Sequence, residues 1–397
     1  VTAASALKTP NLGTGITEDR DRVDFGSLRR ARTDRLFGWM DELGLDVCVL
    51  SREANVRYAT GARRLWTSLS RPFGPTCIAV RATRDVHLLS FSASYEGIPE
   101  ELQPDDIFAV TWNPMNLVDH IRGMPETAGA RRVGVDGLSP LFDGLLRMAF
   151  PAGELVGIQP ELLGLRRMKL PAEIECLRIA AATAEASIVA AIQGLQPGTT
   201  GKQLQARYLA RMCELGTSQF AQQGTFNAFG PGGELSFITS EAPIPGGSVA
   251  LGGGVLWAGY EGSLARTWWC GTTKPPAALR SLAAEWQQAY ASLLGACGDG
   301  VSGAELLPLL DAAGADRTHS AVYAVGLGHE GPLAAGWLDG GALESQTLQT
   351  DMVVGIRILM RRNGFGYFAE DMALVGPRGA EPITTLGYGP LAAGGDS

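Results

Sequence analysis

Apolar positions in the first third of the chain alternate between two periods. Leu28, Leu36, Met40 and Leu43 recur at helical spacing and stop at Gly44, and the run Leu45 to Leu50 then reads as a short buried strand. Further strands are expected at Thr76 to Val80, Val86 to Phe91, Phe108 to Thr111 and Arg132 to Asp136. A helix should open at Ser139-Pro140, a pair suited to the N-cap and the first helical position. This alternation describes a small α/β domain ending at the turn between Gln159 and Arg167, so the expected domains are residues 1–160 and 161–397.

Beyond Met168 the pattern becomes helical for longer. Pro171 starts a helix whose apolar stripe, Ile174, Leu177, Ala181, Ala184, Ile188 and Ile192, is ended by Gly194 and Pro197. Gly198-Thr199-Thr200-Gly201 follows, and Thr200 with Gln203 has capping-box spacing. About a hundred residues later the same arrangement recurs: an apolar helix from Leu279 to Leu294, the turn Gly300-Val301-Ser302-Gly303, and a second box of Ser302 and Glu305. The repetition points to an internal duplication, although two helical units sharing common turn chemistry would read alike. Gly246-Gly247 marks a turn before a strand at Ser248 to Leu251.

Composition narrows the function classes. With 397 residues, 45% of them hydrophobic and 19% charged, the chain can build two cores. A net charge of -8 removes the basic face that nucleic acid or an anionic membrane would require. No apolar run approaches the ~20 residues of a membrane span, and Val1 to Gly26 lacks a signal pattern, so a cytoplasmic protein is expected. The six cysteines are scattered singly, as reduced core cysteines are, and four histidines are too few for a histidine-rich metal centre. Gly252-Gly253-Gly254 is not followed by the Gly-Lys-Ser/Thr of a phosphate loop, and no G-x-S-x-G elbow is present.

The segment from Gly252 through Gly259-Tyr260 and Ser263 to Arg266-Thr267 carries a family resemblance, as do Asn55 to Gly61 (N-x-x-Y-x-T-G, read as a turn), Lys169-Leu170-Pro171-Ala172-Glu173, His329-Glu330-Gly331-Pro332 and Phe368-Ala369-Glu370-Asp371. It resembles the pita-bread (M24) family of creatinase, methionine aminopeptidase and aminopeptidase P, and Gly259-Tyr260 to Arg266-Thr267-Trp268-Trp269-Cys270 is most similar to creatinase. The resemblance implies a two-domain α/β fold, with a small N-terminal α/β domain and a C-terminal pita-bread domain built on a curved antiparallel sheet. It also implies a homodimer. The five metal-ligand positions of the family fall on Gly252, Ser263, Val322, Arg357 and Glu370, of which only Glu370 keeps a ligand. A lone carboxylate cannot hold a divalent ion, so neither metal nor other cofactor is expected. Creatinase itself works without a metal. Its catalytic histidine would fall near Ser236 and its motif glutamate on Ala265, however, so creatine hydrolysis as such is not implied.

The remaining polar positions define a candidate site. His329 is expected to exchange protons, and Glu370 to act as a base or hold His329. Arg357 stands where a carboxylate held cations; it can balance Glu370 or bind a substrate carboxylate through its two-pronged geometry. Arg266, at the family's motif arginine, reads first as structural and second as substrate-binding. Tyr260 and Ser236 are further substrate-binding candidates and Glu261, Trp257 and Glu234 are others, all more often explained by packing or turn chemistry. Ser263 becomes a nucleophile only if a base reaches it. Arg64 and Trp66 belong to the loop from Arg63 to Phe73, a region from which related enzymes place an arginine and an aromatic ring into the partner's site. The expected protein is a metal-independent, creatinase-like enzyme acting on a small carboxylate-bearing nitrogen compound, first by C–N bond hydrolysis. A lyase, cyclase or isomerase, or a catalytically silent binding module, is the alternative. Its partner is a small molecule, not nucleic acid or membrane.

Overall fold

Asp24 starts the first helix by accepting the Ser27 backbone N–H at 2.9 Å, and Gly44 ends it in the left-handed region at φ 62°. The computed structural model describes residues 22–63, 65, 74–90, 97–99, 101–102, 106–109, 113–137 and 139–388. By internal contacts the chain divides into one unit of Arg20–Arg166 and another containing Arg167–Ser397.

In the first unit α1 (Phe25–Leu43), β1 (Val47–Leu50) and α2 (Glu53–Thr60) precede β2 (Thr76–Val80), β3 (Asp85–Ser90) and β4 (Ile107–Ala109). Then follow α3 (Met115–Gly123), β5 (Arg132–Val135), α4 (Pro140–Ala149), β6 (Glu154–Gly157) and α5 (Gln159–Arg167). The sheet order is β4-β3-β2-β1-β5-β6, and Val47, Val49, Ile78, Val80 and Val133 pack against Leu117, Val118, Ile121 and Leu146 of α3 and α4. Asn55 to Gly61, expected as a turn, is instead α2 with Gly61 as its left-handed cap at φ 72°. The cause is local: buried Asp136 accepts from the backbone of Ser51 and Arg52 and from Asn55 Nδ2 at 2.8–2.9 Å, gathering the chain into a helical entry. The expected strand at Phe108 to Thr111 begins one residue earlier, and Thr111 lies outside the described residues.

The second unit runs α6 (Pro171–Ile192), α7 (Gly201–Glu214), β7 (Phe220–Ala228), β8 (Gly247–Trp257), β9 (Tyr260–Cys270), α8 (Ala277–Ala296) and α9 (Gly303–Ala312). It closes with β10 (Ala321–Gly326), β11 (Gly328–Ala335), α10 (Gly340–Ser345), β12 (Val353–Arg362), β13 (Phe365–Gly376) and β14 (Gly379–Pro382). The strands form one curled sheet in the order β11-β10-β12-β13-β9-β8-β7, with β14 on β13. Every odd-numbered residue of β13 from Tyr367 to Val375, except Asp371, packs with Ile356, Ile358, Trp286 and Leu306 in the core under α8 and α9. Strand alternation therefore turns Phe368, Glu370 and Met372 to the opposite face, together with Arg357, Leu359, Ser263 and Ala265. The six cysteines are free; all but the exposed Cys213 are buried. Among the described residues no helix is long and apolar enough to cross a membrane.

The duplication extends beyond turn chemistry. Thr200 N donates to Gln203 Oε1, and Ser302 N to Glu305 Oε2, both at 2.9 Å. Gly198 N bonds Ile244 O while Ile244 N bonds Thr199 O; Gly300 and Val301 make the same reciprocal pair with Leu348, all four bonds at 2.8 Å. The first residue of each following helix is a glycine whose Cβ would lie 2.0 Å from Phe226 O, for Gly201, or 1.9 Å from Leu333 O, for Gly303. Shared turn chemistry does not account for identical seating on two separate strands.

Gly201→Ala and Gly303→Ala should each destabilise the protein by about 3 kcal/mol, because backbone must move to admit the methyl group. Gly144→Ala, with nothing within 4 Å of the added carbon, should instead stabilise slightly. Urea unfolding midpoints check this, and equal effects at all three glycines would contradict the seating.

Candidate active site

Antiparallel pairing of β12 and β13 places Arg357 directly opposite Glu370. Side chains of such a cross-strand pair share a face, and Arg357 Nε donates to Glu370 Oε2. Tyr323 on β10 donates its hydroxyl to Glu370 Oε1 at 2.5 Å. Its ring needs the bare backbone of Gly355, its cross-strand neighbour, where a Cβ would lie 2.2 Å from Tyr323 Cζ. From β7, Gln222 accepts from Arg357 Nη2 at 3.1 Å through Oε1, and its Nε2 lies 3.4 Å from both Glu370 Oε1 and Ser263 Oγ. Ser263 in turn donates to Glu261 Oε1 at 2.5 Å, two residues back on the same face of β9. Six side chains from five strands thus form one continuous polar network.

Charge within the network is uneven. Burial alone would lower the Arg357 pKa, but the Glu370 carboxylate and the Tyr323 hydroxyl outweigh it, and the guanidinium stays charged. Glu261 is 4% exposed, and among the described residues no cation pairs with it. Burial raises its pKa to about 7, against the pull of the Ser263 hydrogen bond and with the help of nearby Glu370. His329 on β11 is solvent-exposed and lies over Tyr323, with ring centroids 4.7 Å apart. Crowding by surrounding protein and the Arg357 charge hold its imidazole below the usual range, so it is neutral near pH 7. Behind it, Lys169 Nζ and Glu330 Oε2 form a fully buried ion pair at 2.6 Å, and Arg167 donates to Glu330 O at 2.8 Å, anchoring the His-Glu turn.

His329, Arg357 and Glu370 are therefore together, and several other candidates are not. Tyr260 and Arg266 lie on the helix face of β9: the Tyr260 hydroxyl donates to Glu173 of α6 at 2.8 Å, and Arg266 pairs with Asp371 at 3.1 Å. Both assignments are corrected by the two-residue period of the strand. Ser236 is exposed in the segment between β7 and β8, its hydroxyl engaged with Ile238 O at 3.2 Å, and Glu234 caps the nearby Gly232 N–H at 2.9 Å. Trp257 is buried. Arg64 and Trp66 lie outside the described residues. Val322 packs in the helix-side core, and its neighbour Tyr323 reaches the site. Tyr323 and Gln222 were not anticipated, yet odd-even parity counted outward from Glu370 finds Tyr323; the irregular pairing of β7 hides Gln222.

The donor set does not fit a divalent cation. At Gly252 a Cβ would lie 2.7 Å from that of Ala265, leaving no room for a carboxylate, and Ser263, Val322 and Arg357 supply no anionic oxygen. Among the described residues no three His, Cys, Asp or Glu side chains are grouped to hold an ion, and a guanidinium occupies the retained carboxylate. A pocket of about 280 Å³ opens beside Arg357 and Gln222, walled by Phe237, Thr318, His319 and Trp337.

Comparison with known proteins adds the relationships. Residues 175–377, just over half the chain, match the model of metallopeptidase family M24, and residues 32–168 match the creatinase/prolidase N-terminal domain. The fold is that of a prolidase from Pyrococcus horikoshii (TM-score 0.72, 18% identity, covering 90% of this chain and 99% of that one). An X-Pro aminopeptidase from Thermotoga maritima is as similar (0.72, 18%, 91% and 99%), as is an Xaa-Pro dipeptidase from Bacillus anthracis (0.72, 20%, 92% and 99%). No curated protein matches by sequence.

The Glu261 environment yields a pH-dependent prediction. A carboxyl whose folded pKa is raised binds its proton more tightly in the folded state, so its contribution to stability is present below the unfolded value and is lost as pH rises toward 7. Glu261→Gln removes that term: its stability relative to the parent should be level near pH 4 and higher by on the order of 3 kcal/mol at pH 8. Chemical denaturation across that range would refute the assignment if the difference stayed flat.

Proposed function

The chain belongs to metallopeptidase family M24, and from that premise we propose that it is an enzyme that works without a metal ion on a small carboxylate-bearing nitrogen compound, hydrolysing a C–N bond. The observation that carries this reading is the Arg357–Glu370 pair: the one retained ligand position is neutralised by a guanidinium standing at another. Arg357 lines the pocket and is suited to a substrate carboxylate. His329, neutral near pH 7, takes a proton from water as it attacks the carbon and returns it to the departing nitrogen. Glu370, held by Tyr323 and Arg357, fixes the guanidinium and serves as a positioning group. The names X-Pro aminopeptidase and Xaa-Pro dipeptidase among the fold relatives make a peptide-like bond the first choice.

A silent binding module is less well supported. Such a module would fill this face with apolar side chains, whereas Arg357, Glu370, Gln222, Ser263 and Glu261 keep it polar. A cytoplasmic homodimer remains part of the proposal, with Arg64 and Trp66 reaching a partner's site.

Elemental analysis of the purified protein should find no stoichiometric Mn, Fe, Co or Zn, and chelators should leave its melting temperature unchanged. One tightly held ion per chain, with stability lost on chelation, overturns the reading. Arg357→Glu should set two carboxylates together and destabilise the metal-free protein by about 3 kcal/mol, with partial recovery in Mn; an unchanged melting temperature refutes the charge replacement. Light scattering over a concentration series should give a dimer, and a persistent monomer removes the shared site.

A further inference from the structure

The pocket is lined by an imidazole outside the Arg357–Glu370 network, that of His319. Asp316 Oδ1 accepts the backbone N–H groups of Thr318 and His319 at 3.0 and 3.1 Å and lies 3.0 Å from His319 Nδ1, while Oδ2 pairs with Arg361. Burial works against the Asp316 charge, but the His319 and Thr318 hydrogen bonds and the Arg361 charge more than compensate, so its pKa is lowered and it accepts. With Nδ1–H committed to that carboxylate, neutral His319 carries its lone pair on Nε2. The ring is also fixed from the side, stacked on Phe237 at 4.7 Å and 15°, with Phe237 edge-on to Phe368 at 5.3 Å.

Three features then meet in one pocket. His319 supplies an oriented acceptor, Arg357 a cation, and Phe237 and Trp337 supply aromatic walls; Ala321, two residues after His319, is the cross-strand partner of Arg357. Trp337 lines the pocket and is 56% exposed, so its indole is accessible to a ligand there. The volume of about 280 Å³ is nearly twice the roughly 150 Å³ cavity that houses benzene. It therefore admits a flat ring with a carboxylate and one further polar group.

Resting on the proposed carboxylate-binding reading, we propose that this pocket takes an aromatic carboxylate bearing an N–H group. The ring lies against Phe237 and Trp337, the carboxylate on Arg357, and the N–H donates to His319 Nε2. His319 thereby becomes a specificity-determining residue.

Calorimetry with four probes tests the assignment. Indole-2-carboxylate should bind at least tenfold more tightly than benzofuran-2-carboxylate, which lacks the N–H, than indole-2-carboxamide, which lacks the charge, and than cyclohexanecarboxylate, which lacks the flat ring. His319→Leu should abolish the preference over benzofuran-2-carboxylate, and His319→Gln, which keeps an acceptor, should restore part of it; melting temperatures confirm that both variants fold. Equal affinity for all four probes, no binding of the indole acid, or a preference unchanged in His319→Leu overturns the proposal. Preference for cyclohexanecarboxylate overturns the aromatic assignment alone and leaves the metal-free reading intact, whereas a stoichiometric metal ion sinks that reading without altering the ranking of the probes.

Discussion

The candidate site depends on one constraint: a carboxyl buried in a sheet must find a cation or hold its proton, and Glu370 finds Arg357 across a β-ladder. The neighbouring groups follow from that pairing. Tyr323 takes the other carboxylate oxygen, Gly355 clears space for Tyr323, and Gln222 bridges the guanidinium to Ser263. Because the cation is already engaged by Glu370, Glu261 is left to the effect of burial and titrates near neutrality. Burial is thus the main cause of the Glu261 shift, with Glu370 raising and Arg357 lowering its pKa against each other.

A second ion pair on the neighbouring residue of β13 shows what a structural role looks like. Arg266 and Asp371 are 1% and 0% exposed, and Arg266 also donates to Leu386 O, Gly387 O and Glu370 O and lies 4.4 Å from the Tyr388 ring. Its bonds tie the C-terminal segment to the sheet. Arg357, by contrast, is 29% exposed and lines a pocket. Adjacent residues on one strand face opposite environments, so one arginine supports the fold while the other remains available to a ligand.

That contrast explains how far the chain could be read in advance. Helix starts and stops at Ser139, Pro171, Thr200, Ser302 and Gly44 were legible because caps and left-handed glycines act locally. The fold was legible through spaced motifs and through the repeated helix–turn–helix units, whose common seating became visible only in three dimensions. Site membership was harder. Motif proximity drew Tyr260 and Arg266 into the site although β9 directs them to the helices. The one-residue step from Val322 to Tyr323 reversed a face assignment, since a strand exposes alternate residues. Gln222 and the Asp316–His319 pair carry no local signal; they reach the site through an irregular edge strand and a loop fixed by a distant arginine.

The loss of ligand chemistry is built into the packing as well as into the charge. Gly252 and Ala265 are cross-strand partners, and the bare glycine lets β8 and β9 approach until an added Cβ would meet Ala265 at 2.7 Å. At the next pair on that face, a Cβ at Gly254 would lie 3.0 Å from Ser263 Oγ, whose hydrogen bond orients Glu261. Restoring an aspartate at Gly252 would therefore require the strands to separate, and their separation would disturb the Ser263–Glu261 contact. Removing Arg357 alone would free Glu370 without reopening that space. Guanidinium pairing and strand closure thus resist reversal by different forces, one electrostatic and one steric, so a single substitution relieves one of them and recovers a cation site only in part.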